Sequence, residues 1–380
     1  MPDGSSPLTL TLHERIADLP AEEWDALAGG NPFVGHAFLL ALEESGSTGR
    51  RTGWFPRHLA LRDGAGRLVA CAPCYIKTNS YGEYVFDHGW AEAFARAGGR
   101  YYPKLQVASP FSPVPGPRLL ARDAAARRAL AEGLRQVMEA IGASSVHVTF
   151  CSAAEWQGLG EAGWLQRIGL QYHWANRGFA SFEDFLATLA SRKRKQIRRE
   201  RREAAESGLA IRTLCGEEIP PRLWQAFHRF YLSTVEKRWG SAYLTARFWP
   251  LLGRLLGERV VMTAAFDGDE PVAAALHLRG EDALHGRHWG AVRDIPFLHF
   301  ELCYYRAIDF AIAHGIARVE AGAQGQHKLQ RGYLPVETYS AHWIAHEGLR
   351  RAVARFLDQE RPALRAQMQE LMELSPFREG

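Results

Sequence analysis

The order of periodicities along the chain predicts an α/β fold built twice, as two similar domains joined near residues 175–180. Three observations carry this. At 380 residues the chain exceeds what one hydrophobic core usually serves. Its hydrophobic share of 47 % and charged share of 23 % are those of an ordinary globular protein. The order helix pair, β-hairpin, strand, helix, strand occurs in each half, with little residue identity between them. The expected division is therefore 1–177 and 178–380.

In the first half, 13–44 reads as two helical pieces. Pro20 and the acids after it open the first, and Asn31-Pro32 separates the two. Runs 55–61 and 68–76 read as a hairpin around Asp63-Gly-Ala-Gly66. Residues 123–141 place Leu130, Leu134, Val137, Met138 and Ile141 at helical spacing and stop at Gly142. Strands follow at 145–150 and 164–175, with a short helix at 153–162 between them. In the second half, helices are expected at 181–206, 220–238, 244–256 and 299–314, the last closed by Gly315. Strands are expected at 209–214, 259–266, 271–279, 283–291 and 316–321. A strand at 337–346 and a helix at 347–372 complete the chain.

Charge is local. Residues 192–203, RKRKQIRRERRE, carry a net +6, although the whole chain is only +4. On a helix this run leaves Ile197 as its one apolar residue, which excludes a core helix and a membrane amphipath. It reads either as a solvated face or as a polyanion contact. Five scattered cysteines do not make a disulfide framework. Cys71 and Cys74 sit in a strand-like run with no second pair, so they read as buried structural residues. No apolar run approaches membrane-spanning length and the first residues lack a signal-peptide pattern, so a cytoplasmic protein is expected.

The stretch ARVEAGAQGQHKLQRGY (317–333) concentrates functional side chains. A strand ends at Glu320. Gly322 and Gly325 bracket a turn, and Gln324, Gln326, His327, Lys328 and Arg331 follow within a few positions. Glycines let backbone approach a ligand, and these side chains donate to carbonyls, carboxylates or phosphates. The turn is not a Walker loop, since Leu329 follows Lys328, nor a dinucleotide fingerprint, since a third glycine is missing. No G-x-S-x-G or H-E-x-x-H occurs, and no histidine spacing argues for a metal. His285-Gly-Arg287-His288-Trp289-Gly290 reads either as an outward-facing edge or as one wall of a site against strand 316–321. Segments 80–90 and 98–120 are aromatic and rich in Gly and Pro, and they carry Glu83, Asp87 and Lys104. They read either as a pocket wall or as an aromatic mini-core stapled by prolines.

The repeated element order resembles the GNAT acyltransferase fold, present twice. SRKRKQIRRERREAAESGLAIRTL (191–214) resembles the Arg-rich helix, Gly and strand of the Fem aminoacyl-tRNA-dependent peptidyltransferases. NPFVGHAFLLALEESG (31–46), SYGEYVFDHGWAEAF (80–94), YYPKLQVASPFSPVPGPRLL (101–120) and EAGAQGQHKLQRGYLPVETYSAHWI (320–344) resemble FemAB-like predicted N-acyltransferases, a likeness spanning nearly the whole chain. The resemblance implies two tandem GNAT-like domains, each a mixed, mostly antiparallel sheet flanked by helices. It implies an N-acyltransferase joining an aminoacyl-tRNA or acyl-CoA donor to a small-molecule or peptide amine, with peptidoglycan precursors among the candidates and no tightly bound cofactor. Residues 121–126 and 297–302 stand where a glycine-rich pyrophosphate loop would be and lack its glycines, which argues against ordinary acetyl-CoA. The long coiled-coil insertion of some Fem enzymes is also missing.

In that reading Glu320 is the expected base, with Asp87 second. Lys328, Arg331 and Lys104 would hold anionic groups. Tyr102, Trp289 and Tyr333 would form walls, joined by Glu83, Tyr84, Arg287, Gln324, Gln326 and His327 as substrate contacts. Arg194, Arg198, Arg199, Arg201 and Arg202 would meet tRNA. A module that binds without catalysing remains the alternative of a different class.

Overall fold

The structure, a computed structural model, describes residues 7–237, 240–322 and 325–378. It divides into two compact units. The first is Met1–Gly169 with Glu337–Arg365, and the second is Leu170–Val336 with Ala366–Gly380. The division differs from the expected contiguous one because a late segment returns to the first unit. Strand Leu334–Ile344 pairs antiparallel with Ser145–Cys151, from Tyr339↔Cys151 to Ile344↔Ser145. The helix that follows, Glu347–Glu373, packs Leu349, Val353 and Leu357 against Trp90 and Tyr101.

In the first unit, one sheet orders Thr9–His13, His58–Arg62, Leu68–Ala72 and Leu120–Ala121. A second orders Trp54–Pro56, Cys74–Lys77, Lys104–Val107, Ser145–Cys151 and Leu334–Ile344. Lys104–Val107 and Ser145–Cys151 run parallel, and helix Ala124–Ala140 connects them in sequence. The Asp123 carboxylate caps this helix by accepting from the Ala126 N–H. Leu130, Leu134, Val137 and Met138 bury against Val69, Leu105, Val146 and Val148. Each such side chain contributes roughly 1.5–3 kcal/mol. Burial pushes the Cys74 thiol up to about 12, in keeping with a structural cysteine.

The sheet of the second unit orders Ala210–Cys215, Val260–Asp267, Glu270–Arg279, Ala283–Ala291, Arg318–Glu320 and the end of Leu165–Ala175. Helices Pro221–Lys237 and Phe248–Leu256 pack on one face, where the Trp249 ring lies 5.4 Å from that of His288. A helix from Leu298 to Ala313 packs Tyr305 and Ile308 against Leu284 and Val319. A π-turn, Glu301–Tyr305, interrupts it. Such turns re-aim side chains and often mark functional segments. The expected helix 181–206 is two helices, Phe182–Ala187 and Ser191–Ala205. The tandem repeat is thus visible as a strand, a connecting helix and a parallel strand in each unit.

Five histidines sit neutral in these cores. Burial lowers His147 to about 3 and both His173 and His277 to about 4. His288 and His342 fall well below the ordinary imidazole range for the same reason. The unfolded chain therefore takes up protons below pH about 6.5 that the folded chain refuses, so stability falls as pH falls. Each histidine costs up to about 1.4 kcal/mol per pH unit in that window. Glu83, raised to about 7 by burial, acts with the opposite sign but is one group against five. The urea midpoint should drop steeply between pH 7 and pH 5. A flat profile would show that these imidazoles are solvated.

Candidate active site

In the second unit, Ala283–Ala291 runs beside Arg318–Glu320 for only three pairs: Ala283↔Arg318, Leu284↔Val319 and His285↔Glu320. Its other side continues along Glu270–Arg279 as far as Ala273↔Ala291. The register shifts between Leu276 and His277, leaving Arg287 as the extra residue of a bulge. A bulge turns its side chain out of the strand's alternation. Past the bulge, Thr234 and Ser233 donate to the carbonyls of Trp289 and Ala291 at 2.8 and 3.2 Å. Gly290 is required there, because a Cβ would lie 2.0 Å from the Phe230 carbonyl oxygen. The two parallel strands thus part company immediately after His285 and Glu320.

One face of this fork is polar. The Glu320 Oε2 lies 2.8 Å from His285 Nδ1, and its Oε1 accepts from Arg318 Nε at 2.9 Å. Arg318 also pairs with Asp282. His173 stands opposite Glu320 in the antiparallel register. Burial works against the Glu320 charge, but His285, His173 and Arg318 outweigh it and hold the carboxyl at about 2. A carboxylate so acidic is a poor proton acceptor at neutral pH. Its geometry is that of an acceptor orienting an imidazole, a different arrangement from the free base expected of Glu320.

Beyond Glu320, Gly325 takes a φ of 100°, and a Cβ there would run into the His327 ring. A short 3₁₀ turn, Gln326–Arg331, follows. Lys328 is buried and donates to the Ala321 and Gly322 carbonyls at 2.5 and 3.3 Å, closing the turn onto the strand end. Arg331 is buried too. Its Nη2 donates to both Glu200 oxygens at 2.9 and 2.8 Å, and its guanidinium lies 3.4 Å from the Phe300 ring centroid. Tyr333 is fully buried, with its hydroxyl donating to the Tyr304 carbonyl at 3.3 Å. Arg331 and Tyr333 therefore anchor the turn to the body of the unit and do not face a ligand as expected. Gln324 lies outside the described residues, as does the side chain of Gln326.

The fork's other face is aromatic. Trp289 and His299 rings are 5.1 Å apart, and His299 lies 5.4 Å from Tyr304. The Tyr304 hydroxyl is 3.0 Å from Nε2 of His327, whose pKa is lowered by the partial burial of its ring and then by Arg331 and Lys328. Arg287, Trp289, His327 and Lys328 are thus gathered at one fork. His285, His299 and Tyr304 join them, residues whose roles depend on pairings invisible to local pattern.

The basic helix Ser191–Ala205 buries Ile197, Glu200 and Ala204. Arg192, Lys195, Arg198, Arg199 and Arg202 are exposed, mostly along one stripe. Arg198 pairs with Glu183 and Arg199 with Glu203, in surface contacts worth little. Arg194 instead donates to the Leu189 carbonyl at 2.7 Å, and Arg201 binds Asp309 and Glu301. These two belong to the interior side of the helix, not to the outward stripe, while Arg192 and Lys195 belong to the stripe.

Glu83, Tyr84, Asp87, Tyr102 and Lys104 belong to the first unit. Lys104 donates to Glu83 Oε2 at 2.7 Å and Asp87 Oδ2 at 2.5 Å, and all three are buried. Burial opposes the Asp87 charge, but Lys104 and His147 hold the carboxyl below the ordinary range, so Asp87 is no better a base than Glu320. Tyr102 donates to or accepts from Ser80 at 2.8 Å, and Tyr84 is exposed at a φ of 60°.

The FemAB-like profile, described as peptidoglycan biosynthesis/recognition, matches residues 15–379. The chain belongs to the FemAB-like family. No curated protein matches it at a significant level. Among solved structures, the C-terminal domain of a protein described as a lysylphosphatidylglycerol synthetase from Agrobacterium fabrum is similar at TM-score 0.56. It shows 9 % identity, covering 89 % of this chain and 95 % of that one. FemX is similar at TM-score 0.56 and 11 % identity, covering 88 % of this chain and 98 % of that one. L-PGS from Bacillus licheniformis follows at 0.52 and 9 %, over 87 % and 98 %. At these identities the likeness is one of fold, the tandem GNAT-like fold expected from the sequence. Family and fold together support acyl transfer as the class of chemistry for this FemAB-like chain. No helix among the described residues is long and apolar enough to cross a membrane.

The Glu200–Arg331 pair gives the turn a measurable anchor. Glu200→Gln should destabilise the protein by about 3–5 kcal/mol, because it leaves the Arg331 charge buried without its partner. A urea midpoint unchanged from the parent would show that Arg331 reaches water.

Proposed function

We propose that this FemAB-like chain is an N-acyltransferase that forms an amide between an activated donor and an amine, at the fork of the second unit. The observation that carries this is the parting of two parallel strands directly after a buried, carboxylate-held histidine. The donor we favour is aminoacyl-tRNA, with acyl-CoA as the alternative. The acceptor is a small or peptide amine of the peptidoglycan-precursor kind. A charged-tRNA donor would place the reaction in the cytoplasm.

The amine attacks the donor carbonyl, and the ester is already activated, so positioning supplies much of the acceleration. His285 takes the ammonium proton as the C–N bond forms and returns one to the departing ribose oxygen. Glu320 fixes the ring by its Nδ1 and stabilises the imidazolium that forms. Lys328, at the strand end, stabilises the oxyanion of the tetrahedral intermediate. The aromatic face of Trp289 and His299 receives the acyl side chain. The stripe from Arg192 to Arg202 supports the tRNA choice, since a coenzyme needs far fewer charges.

Incubation with labelled charged tRNA and a panel of amines should give an amide product. Tight binding without transfer would favour a recognition module instead. Once a substrate pair is in hand, His285→Ala should lower kcat by about 10²–10⁴-fold with the fold intact. Full turnover in that variant would remove the histidine from the chemistry.

The stripe is tested separately. Replacing Arg198, Arg199 and Arg202 with Gln should reduce the slope of log affinity against log salt by about 0.7–0.9 for each phosphate that the variant no longer neutralises. Arg194→Gln should leave the slope alone. Equal slopes in parent and triple variant would rule out tRNA on this helix.

A further inference from the structure

Segment 78–87 of the first unit is built inside out. Tyr81, Tyr84 and Phe86 are 62 %, 42 % and 68 % exposed, whereas Glu83 and Asp87 are 4 % and 2 % exposed. It has no helix or strand of its own. A loop that shows its rings to water and buries its acids gains little from the hydrophobic effect. Besides the charges beneath it, it is held by hydrogen bonds from the Trp54 indole to the Tyr81 carbonyl at 3.0 Å, from Asn79 to the Thr52 carbonyl at 3.3 Å and from Arg167 to the Phe86 carbonyl at 2.8 Å.

The charges beneath it are two lysines on neighbouring strands, Lys77 and Lys104, paired in register and both 0 % exposed. Glu83 bridges them, with Oε2 at 2.7 Å from Lys104 Nζ and Oε1 at 3.9 Å from Lys77 Nζ. Asp87 takes Lys104 from the other side at 2.5 Å. Lys77 also donates to the Tyr81 carbonyl at 3.1 Å and lies 4.1 Å from the Trp54 ring centroid. Tyr101 donates to Asp87 at 2.8 Å, and its hydroxyl lies 3.3 Å from His147 Nε2. His147 in turn meets His342, and Tyr102 meets Ser80, which accepts from Lys104.

Within this cluster, Glu83 Oε1 and Asp87 Oδ1 are buried and have no hydrogen-bond partner among the described residues. The acids are therefore imperfectly satisfied, and each buried ion carries a desolvation cost of several kcal/mol. Burial moves Glu83 up, and Lys77 down, to about 7, so desolvation weighs on both partners. An external oxyanion between the lysines would recover the same attractions and release the loop's acids to water.

We propose that Lys77 and Lys104 form an oxyanion-binding site whose resting occupant is the protein's own Glu83 carboxylate, carried by a loop that swings out when an external carboxylate or phosphate-like group takes its place. The site lies wholly in the first unit and does not depend on the acyl-transfer reading.

The test uses the full chain, with sulfate as the tetrahedral probe and acetate as the carboxylate probe, in isothermal titration. Glu83→Gln leaves the lysines one negative charge short while keeping the side chain's shape. It should bind one of the probes at least tenfold more tightly than the parent, and the tighter arm names the ligand class. Lys77→Met added to that variant should abolish the gain. In the parent, saturating probe should speed hydrogen exchange at 81–87 and not along helix Ala124–Ala140. If Glu83→Gln fails to fold, Glu83→Asp, too short to bridge both lysines, should show the same gain in smaller measure. A folded Glu83 variant that binds neither probe more tightly, or a gain that survives loss of Lys77, overturns the proposal.

Discussion

Three residue pairs of parallel strand govern the second unit. Up to His285↔Glu320 the sheet is closed, with Leu284 and Val319 in the apolar core of one face and Arg318, His285 and Glu320 linked on the other. After that pair the backbones separate, and Arg287 is displaced by a bulge just where the separation begins. Longer pairing would bury the fork under a hydrogen-bonded ladder. Without the pair, Glu320 would have neither His285 nor a reason to stay ionised in a site from which water is largely excluded. The fork needs the carboxylate charged, and the imidazole and guanidinium beside it keep it so.

Local pattern revealed most of the scaffold, since periodicity and turn chemistry are properties of a few adjacent residues. The helix at 123–141 and the strands at 145–150, 271–279 and 283–291 lie within a residue or two of their observed ends. The strand at Leu334–Ile344 was legible as a strand. Its partner was not, because Ser145–Cys151 lies far back in the chain and nothing in either segment encodes the match. The helix at Ala124–Ala140 announces its buried stripe by spacing, whereas the place of 347–365 in the first unit rests on contacts with Trp90 and Tyr101.

Polar residues were harder for the same reason. A turn with Gln, His, Lys and Arg looks like a ligand-binding loop, yet Arg331 is consumed by Glu200, which sits on the basic helix. Among the basic residues of that helix, Arg194 and Arg201 face inward, and no rule on composition separates them from Arg198 or Arg202. Helical spacing around Ile197 and Ala204 does separate the faces once the helix ends are known. Glu83, Asp87 and Lys104 were singled out as a charged set among aromatics, and the structure brings them together. Their proximity ties them into one buried ion-pair cluster in which Lys104 keeps Asp87 ionised, a setting that charge identity alone does not reveal.

The two units put the same piece of architecture to different uses. In the first, the parallel pairs are Leu105↔Val146, Gln106↔His147 and Val107↔Val148. Gln106 donates to Thr149 at 2.8 Å, and His147 Nδ1 meets His342 Nδ1 at 2.7 Å, where one proton must serve two rings. Burial and the nearby Lys104 keep His147 neutral, so this polar core is held by shared hydrogens. In the second, the corresponding pairs end in a histidine held by a carboxylate beside a glycine-bearing turn. A fold repeated within one chain is free to close one copy's strand end with neutral imidazoles and leave an ionised group at the other. In the function we propose, chemistry follows the copy in which a carboxylate holds a histidine at the point where the strands divide.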